Sequence, residues 1–146
     1  MTTISKELKE LFAKINSTAD FCYVEFSDVN TTNALGENAL HIAVRWGEID
    51  AVKLLISSGA DINKHGEYGY TPLHYAAECG YQEIVKLLLD SGANPFARTE
   101  GDIPSTLARF KDNKTICDLL DEYMRKSPYR PKGWIFSGED LINRKD

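Results

Sequence analysis

The sequence contains no long run of apolar residues, and its longest such stretches fall well short of the roughly 20 residues that a membrane-spanning helix needs. Its first seven residues already include Lys6 and Glu7. No apolar segment followed by small residues is found there, so the pattern of a secretory signal peptide is missing. These absences exclude a membrane-spanning protein and predict a cytoplasmic location.

Cysteine and histidine are scarce, with three of each among 146 residues. The cysteines, Cys22, Cys79 and Cys117, are odd in number and far apart, which excludes both a complete disulfide framework and a Cys-x-x-Cys metal site. His65 has no cysteine or histidine at the spacing of a zinc ligand set. We therefore expect a reducing compartment and neither metal nor cofactor.

Acidic residues outnumber basic ones by 22 to 17, giving a net charge of −5. This balance disfavours nucleic acid as the main partner, because binding to phosphates depends on clustered cations. The excess is local, since residues 20–102 contain 13 acidic and 5 basic residues. With 42% hydrophobic and 27% charged residues, the composition is that of one folded domain.

An internal repeat organises the middle of the chain. Residues 36–43 (GENALHIA) align with residues 69–76 (GYTPLHYA) at an offset of 33, and residues 47–63 continue the alignment with residues 80–94 and beyond. The motif returns at residue 101 with an offset of 32, so the third unit has lost one residue. A repeat of this period predicts a stack of helical units that bury their faces against one another.

With the pattern TPLHYAA, a following glycine, IVKLLL and SGAN, the second unit resembles the ankyrin repeat. The resemblance implies an all-α solenoid of helix-turn-helix units joined by β-hairpin loops, with about three repeats between terminal caps. Thr71 and Asn38 are expected to cap the first helix of their units, and Pro72 suits the first helical position. The third unit has Ile103 at the capping position, which cannot cap.

The alignment divides one domain into five parts. We predict N-terminal capping helices over 1–27, repeats over 28–60 and 61–93, a degenerate repeat over 94–124, and a C-terminal capping tail over 125–146. Residues 19–26 are predicted to be helical because they occupy the place of a second helix. Residues 137–142 are predicted to begin a last short helix with a capping box.

A search for catalytic groups yields little. The resemblance implies that His41 and His74 bind the backbone of the next hairpin, which is a structural role. Cys79 lies five residues after His74 and therefore on another face of the helix, so the two do not form a nucleophile and base. The sequence contains no phosphate-binding loop, nucleophile elbow or zinc motif, and we predict that the protein is not an enzyme.

The resemblance also implies a concave groove, formed by the hairpin tips and the first helix of each unit, that binds a partner protein. Trp46, Tyr68, Tyr70 and Phe110 are large aromatic residues at positions that the repeat itself does not require, although Trp46 could instead cover a neighbouring helix and Tyr70 could shield a hairpin. The acidic excess favours a partner with a basic surface, and we expect the free protein to be monomeric. The candidate positions are Asn33, Leu35, Glu37, Arg45 and Trp46 in the first repeat, His65, Glu67, Tyr68, Tyr70 and Glu78 in the second, and Thr99, Glu100, Asp102, Phe110 and Lys111 in the third.

Two narrower interpretations stay open. In size and charge the chain resembles small bacterial ankyrin proteins that act as immunity proteins, which neutralise a toxin or effector by masking its active site. The second is binding of nucleic acid or a membrane surface through the basic start of the tail, residues 125–133, whose four cations are Arg125, Lys126, Arg130 and Lys132. The acidity of the rest of the chain disfavours this second interpretation.

Overall fold

The computed structural model describes residues 4–136 and contains helices and turns with no β-strand among those residues. This confirms the predicted all-α repeat fold. A 3-10 turn, Glu67–Gly69, also lies within the described residues. The α-helices are α1 (Lys6–Asn16), α2 (Ala39–Trp46), α3 (Ile49–Ser57), α4 (Pro72–Cys79), α5 (Gln82–Asp90), α6 (Pro104–Phe110) and α7 (Lys114–Lys126).

The first helix of each unit begins where its sequence provides a cap. The side chains of Asn38 and Thr71 accept hydrogen bonds from the backbone N–H groups of His41 and His74, which confirms both predicted caps. At the corresponding position Ile103 makes no such bond, as predicted. The third unit keeps its helix because α6 packs against α4 and α7 and because a proline follows Ile103.

The helices form two rows. The inner row, α2, α4 and α6, packs in succession, and the outer row, α3, α5 and α7, runs alongside it. Alanines in the inner row, such as Ala43 and Ala76, are fully buried and allow neighbouring helices to approach closely. Leucines from both rows, such as Leu73 and Leu88, fill the space between the rows. Burial therefore arises mainly from contacts between neighbouring repeats.

The N-terminal cap differs from the prediction. Residues 17–23 form successive turns and residues 24–26 have no regular structure, so the prediction of a helix over 19–26 is wrong. Aromatic packing dominates this segment, because Phe21 is fully buried and the ring of Phe26 stacks on those of Phe12 and Phe21. Side chains that favour extended backbone thus cover the end of the stack without a second helix.

Each predicted hairpin is a tight loop whose two ends are joined by a backbone hydrogen bond. Asn33 donates to the carbonyl of Glu37 at 2.9 Å, and Gly66 donates to that of Tyr70 at 2.8 Å. In the third loop Thr99 donates to the carbonyl of Asp102, only three residues ahead. The residue missing from the third repeat is therefore lost from its loop.

The described part of the C-terminal tail packs back on the third repeat. The ring of Trp134 meets that of Phe96 edge-on with 4.9 Å between centroids, and the guanidinium groups of Arg125 and Arg130 lie over the ring of Phe136. The helix predicted to begin at residue 137 lies outside the described residues.

Candidate functional site

The candidate residues lie either in the loops before α2, α4 and α6 or at the C-terminal ends of these helices. We use the term inner surface for the loop tips before α2, α4 and α6 together with the last turns of those helices. Because each repeat presents the same positions, the surface consists of matched columns. The tip column contains Leu35, Tyr68 and Glu100, and the helix-end column contains Arg45, Glu78 and Phe110.

Three apolar side chains of the inner surface are strongly exposed. The exposed fraction is 46% for Leu35, 68% for Tyr68 and 72% for Phe110. Leu35 and Tyr68 occupy the same position in adjacent loops, whereas Phe110 lies at the end of α6 beside the exposed Lys111. Exposed apolar side chains are common singly, but three in matched columns of one surface are typical of an interface.

Tyr68 also has an unusual backbone conformation. Its φ is +54° and its ψ +20°, in the left-handed region that a residue with a Cβ occupies only at a cost. Two overlapping backbone hydrogen bonds hold this conformation. The N–H of Gly69 donates to the carbonyl of Gly66, and the N–H of Tyr70 donates to that of Glu67. A strained, exposed aromatic residue at a loop tip is a feature that folding alone does not explain.

Glu37 was predicted to contact a partner, and the structure corrects this, because its side chain is fully buried with 0% exposure. Its carboxylate accepts a 2.7 Å hydrogen bond from the hydroxyl of Tyr75 and one of 3.4 Å from the guanidinium of Arg45. Arg45 also forms an ion pair with Asp20 at 3.5 Å and lies over the ring of Tyr75. The charge of Arg45 is thus balanced within the protein.

Several other candidates stabilise the loops that carry them. Asn33 is buried, and its side-chain oxygen accepts hydrogen bonds from the N–H groups of Leu35 and Glu37, so it is removed from the contact surface. His65 donates through Nδ1 to the carbonyl of Gly69 at 2.8 Å. Thr99 accepts through its hydroxyl from the N–H groups of its own loop, at residues 101 and 102.

Trp46 and Tyr70 are half-buried and pack against their neighbours. The ammonium group of Lys14 in α1 lies 4.8 Å from the centre of a Trp46 ring, so this side chain covers the first helix. The ring of Tyr70 contacts those of His74 and Tyr75, at 5.6 and 4.9 Å. The structure thus favours the alternative in which Trp46 covers a neighbouring helix, whereas the Tyr70 ring packs on α4 of its own repeat.

Acidic groups of the inner surface lie near the side chain of Tyr70 and affect its pKa. Burial raises the pKa of this phenol, and the carboxylates of Glu78 and Asp102 raise it further. Burial and the carboxylate of Glu37 raise the pKa of Tyr75, and Glu67, in the loop before α4, raises it further. Acidic groups of the second and third repeats therefore surround the second loop.

His41 and His74 bind the next loop, as expected. The Nε2 atoms of these rings lie 3.0 Å from the carbonyl oxygens of Tyr70 and Asp102, and their Nδ1 atoms accept from the backbone at Asn38 and Thr71. A ring that accepts at Nδ1 and donates at Nε2 is neutral. Burial lowers the pKa of both, that of His74 to about 4.

The remaining reactive groups show no catalytic arrangement. Burial raises the pKa of the Cys79 thiol and the carboxylate of Glu78 adds to this, which is the opposite of an activated nucleophile. Between residues 4 and 136, no group of three or more His, Cys, Asp or Glu side chains is placed to hold a metal ion. No helix of that range is long and apolar enough to cross a membrane.

Three of the four cations in residues 125–133 make contacts within the protein. Arg125 and Arg130 lie over Phe136 at 4.6 and 4.7 Å, Arg130 also donates to the carbonyl of Trp134, and Lys126 pairs with Glu122. These contacts count against binding of a phosphate backbone through the tail.

Asp20 and Tyr75 also belong to the group of side chains around Glu37 and Arg45, although neither was predicted as a site residue. Tyr75 stands in a column whose other members, Ile42 and Leu107, are buried aliphatic residues, and a hydroxyl in that column needs a partner. That mismatch points to the buried carboxylate of Glu37. Asp20 lies in the irregular N-terminal segment, where no repeat pattern indicates its position.

A family model of ankyrin repeats, in three copies, matches residues 8–99. The chain belongs to the ankyrin-repeat family. The match begins inside α1 and ends before α6. A search of curated proteins found no match to the chain. Ankyrin repeats are generally non-enzymatic modules of protein–protein interaction. Membership of the family indicates this general role and no particular partner.

Proposed function

We propose that this ankyrin-repeat protein binds a partner protein with a basic surface through its inner surface. The observation that carries the proposal is the exposure of Tyr68 on a strained loop tip, in the same column as exposed Leu35. An exposed aromatic side chain held by a rigid loop loses little conformational freedom on binding and buries a large apolar area.

The charge of the inner surface supports the choice of partner. Arg45 is balanced by Glu37 and Asp20, whereas Glu78 and Asp102 lie near Tyr70. The surface of the first two repeats is therefore acidic, and a basic partner surface would be attracted to it. Lys111 beside Phe110 places a positive charge at the far end of the inner surface, which would help to orient the partner.

The experiment is affinity capture with the full chain as bait, comparing wild type with a Tyr68→Ala/Phe110→Ala double variant. A captured protein is then titrated against each form. The double variant is expected to lose about 2 kcal/mol or more of binding free energy, as interface aromatics often do. Retained helicity and thermal unfolding would show that the fold is intact.

Tyr23→Ala is the matched control. Tyr23 is 99% exposed, and its repeat position corresponds to Ile56 in the outer helix α3, away from the inner surface. The control should bind like wild type. Equal affinity of wild type and the double variant would place the binding surface elsewhere.

Inhibition of the partner is the narrower form of this proposal, and the acidic excess supports it, because a basic active site would be covered by such a surface. An immunity protein for a toxin is one example, whereas an adaptor would leave its partner active. Measuring the activity of the captured partner with and without a saturating amount of this protein separates the two roles.

A further inference from the structure

A second concave site lies at the C-terminal end of the stack. We call it the end cleft, a space of about 350 Å³ between α6, α7 and the tail. Its apolar lining includes Ile103 and Met124, which are buried, and Trp134, which is half-buried. The hydroxyl-bearing residues Ser105 and Thr106 also line it.

Two arginines line the end cleft. Arg98 enters from the third loop and donates to the carbonyl of Gly101 at 3.2 Å, and Arg109 enters from α6. Within residues 4–136 neither guanidinium forms an ion pair, although Asp121 of α7 is also part of the lining. The cleft therefore combines an apolar wall with two cations that retain donors for a ligand.

The repeat alignment shows that this end is not built to receive another ankyrin unit. Arg109 occupies the position of Val44 and Ala77, which are fully buried in the first two repeats. Thr106 replaces His74, the residue that would donate to the next loop. A charged side chain in place of a small stacking residue favours a charged ligand over a second copy of the repeat.

We propose that the end cleft binds an acidic peptide segment of a partner protein, one that carries carboxylates beside an apolar side chain. The guanidinium groups of Arg98 and Arg109 would receive the carboxylates, because arginine matches their planar geometry. The half-buried ring of Trp134 and the exposed side chain of Ile135, which line the cleft together with the buried Ile103 and Met124, would receive the apolar side chain. Residues 103–136 contain seven basic and four acidic residues, so the charge of this end is opposite to that of the first two repeats.

The proposal does not rest on the basic partner proposed for the inner surface. The end cleft selects ligands of the opposite charge and uses different residues, so each site can be tested while the other is disabled. A protein with two such sites would connect a basic and an acidic partner.

The test uses the full chain with Trp46→Phe, which leaves Trp134 as its one tryptophan and therefore as a reporter in the cleft wall. The probe is a short peptide with two glutamates next to a leucine, and the comparison peptide has glutamines instead. We expect saturable change of the Trp134 fluorescence with the glutamate peptide only. In Arg98→Gln/Arg109→Gln the dissociation constant should rise about tenfold or more, since charge-assisted bonds are lost.

Lys53→Gln/Lys114→Gln is the matched control, because it removes the same charge from exposed positions outside the cleft. It should change the affinity by less than about twofold, as surface charges usually do. Equal binding of both peptides, or an equal loss in the control, would overturn the proposal. Competition by inorganic phosphate as strong as that by the unlabelled peptide would also overturn it, because the cleft would then be a simple anion site. The absence of any binding by the full chain would overturn it as well, because the cleft would then be closed to peptides.

Discussion

The hydroxyl of Tyr75 donates a 2.7 Å hydrogen bond to the buried carboxylate of Glu37, which lies 38 residues earlier in the chain. The bond joins the loop of the first repeat to the inner helix of the second. Arg45 completes the group from the end of α2, at 3.4 Å from the same carboxylate. One buried acid thus connects two repeats and positions the arginine of the inner surface.

Tyr75→Phe is expected to lower the free energy of unfolding by about 1.5–3 kcal/mol, since a buried charged acceptor loses its shortest side-chain bond. Urea denaturation monitored by circular dichroism measures the change. Tyr81→Phe is the matched control, because the hydroxyl of Tyr81 makes only an exposed 3.5 Å contact with the carbonyl of Arg45. A double-mutant cycle with Glu37→Gln would give a coupling energy near zero if the two side chains did not interact.

Gly66→Ala is expected to destabilise the second loop. A Cβ there would lie 2.8 Å from Cγ of Glu37 and 3.2 Å from Nε2 of His41, both buried, so the new methyl group has no space. The cost should be about 1–3 kcal/mol, typical of overpacking. Thermal and urea unfolding measure it.

Gly101→Ala, in the third loop, is the control for this change, because nothing lies within 4 Å of the added Cβ. Its stability should stay within about 0.5 kcal/mol of wild type, the usual range for open surface sites. Equal effects of the two alanines would mean that Gly66 is not in close contact with Glu37.

The repeat could be predicted from the sequence because local chemistry and stacking require the same residues. Thr71 caps α4, and the His74 ring both completes the cap and reaches the next loop, so the motif encodes the helix start and the distance to the neighbour. Glu37 could not be assigned in this way. Its burial depends on Tyr75 of the next repeat, and a glutamate at a loop position otherwise suggests a solvated side chain.

The N-terminal segment shows a second limit. The pattern of the stack requires that its end be covered, but it does not specify how. Phe21 and Phe26 cover α1 through ring stacking, and this packing outweighs the weak helical preference of residues 19–26. Tertiary contacts decided this structure, as they often do where local preferences are mixed.

Stability should fall at mildly acidic pH because of His74. Its pKa is about 4 in the folded protein and 6.5 as the reference for the unfolded chain, so the unfolded chain binds a proton first as the pH falls. The stabilisation is complete above pH 6.5 and is lost between about 6.5 and 4, by roughly 3 kcal/mol for this one residue. His41 acts in the same direction, since burial lowers its pKa too.

Urea unfolding at several pH values between 7 and 4 would measure this slope in wild type and in His74→Gln. The variant should be less stable at pH 7 because it loses the neutral ring, but its stability should depend less on pH. If stability depended equally on pH in wild type and variant, the conclusion that the His74 ring is neutral when it donates to the carbonyl of Asp102 would be wrong.

Folding and partner binding are expected to favour different residues at position 68. Because its backbone lies in the left-handed region, Tyr68→Gly should raise the free energy of unfolding by up to about 1 kcal/mol, whereas most substitutions lower it. The same change should weaken partner binding, since the exposed ring is lost. Urea denaturation and titration of the partner measure the two effects on one variant.

Asp112→Gly provides the comparison. Among residues 4–136, Tyr68 and Asp112 are the two residues other than glycine that have a positive φ, and that of Asp112 is +53°. In the repeat alignment Asp112 takes the place of Gly47 and Gly80, which end the first helices of their units. It should gain stability for the same reason and retain full affinity, because Asp112 is not one of the candidate contact residues of the inner surface. A structural role for the Tyr68 side chain would instead make Tyr68→Gly less stable, and unchanged affinity in that variant would remove Tyr68 from the binding site. Opposite signs for stability and affinity at Tyr68 alone would therefore show that its strained conformation is retained for binding and not for folding.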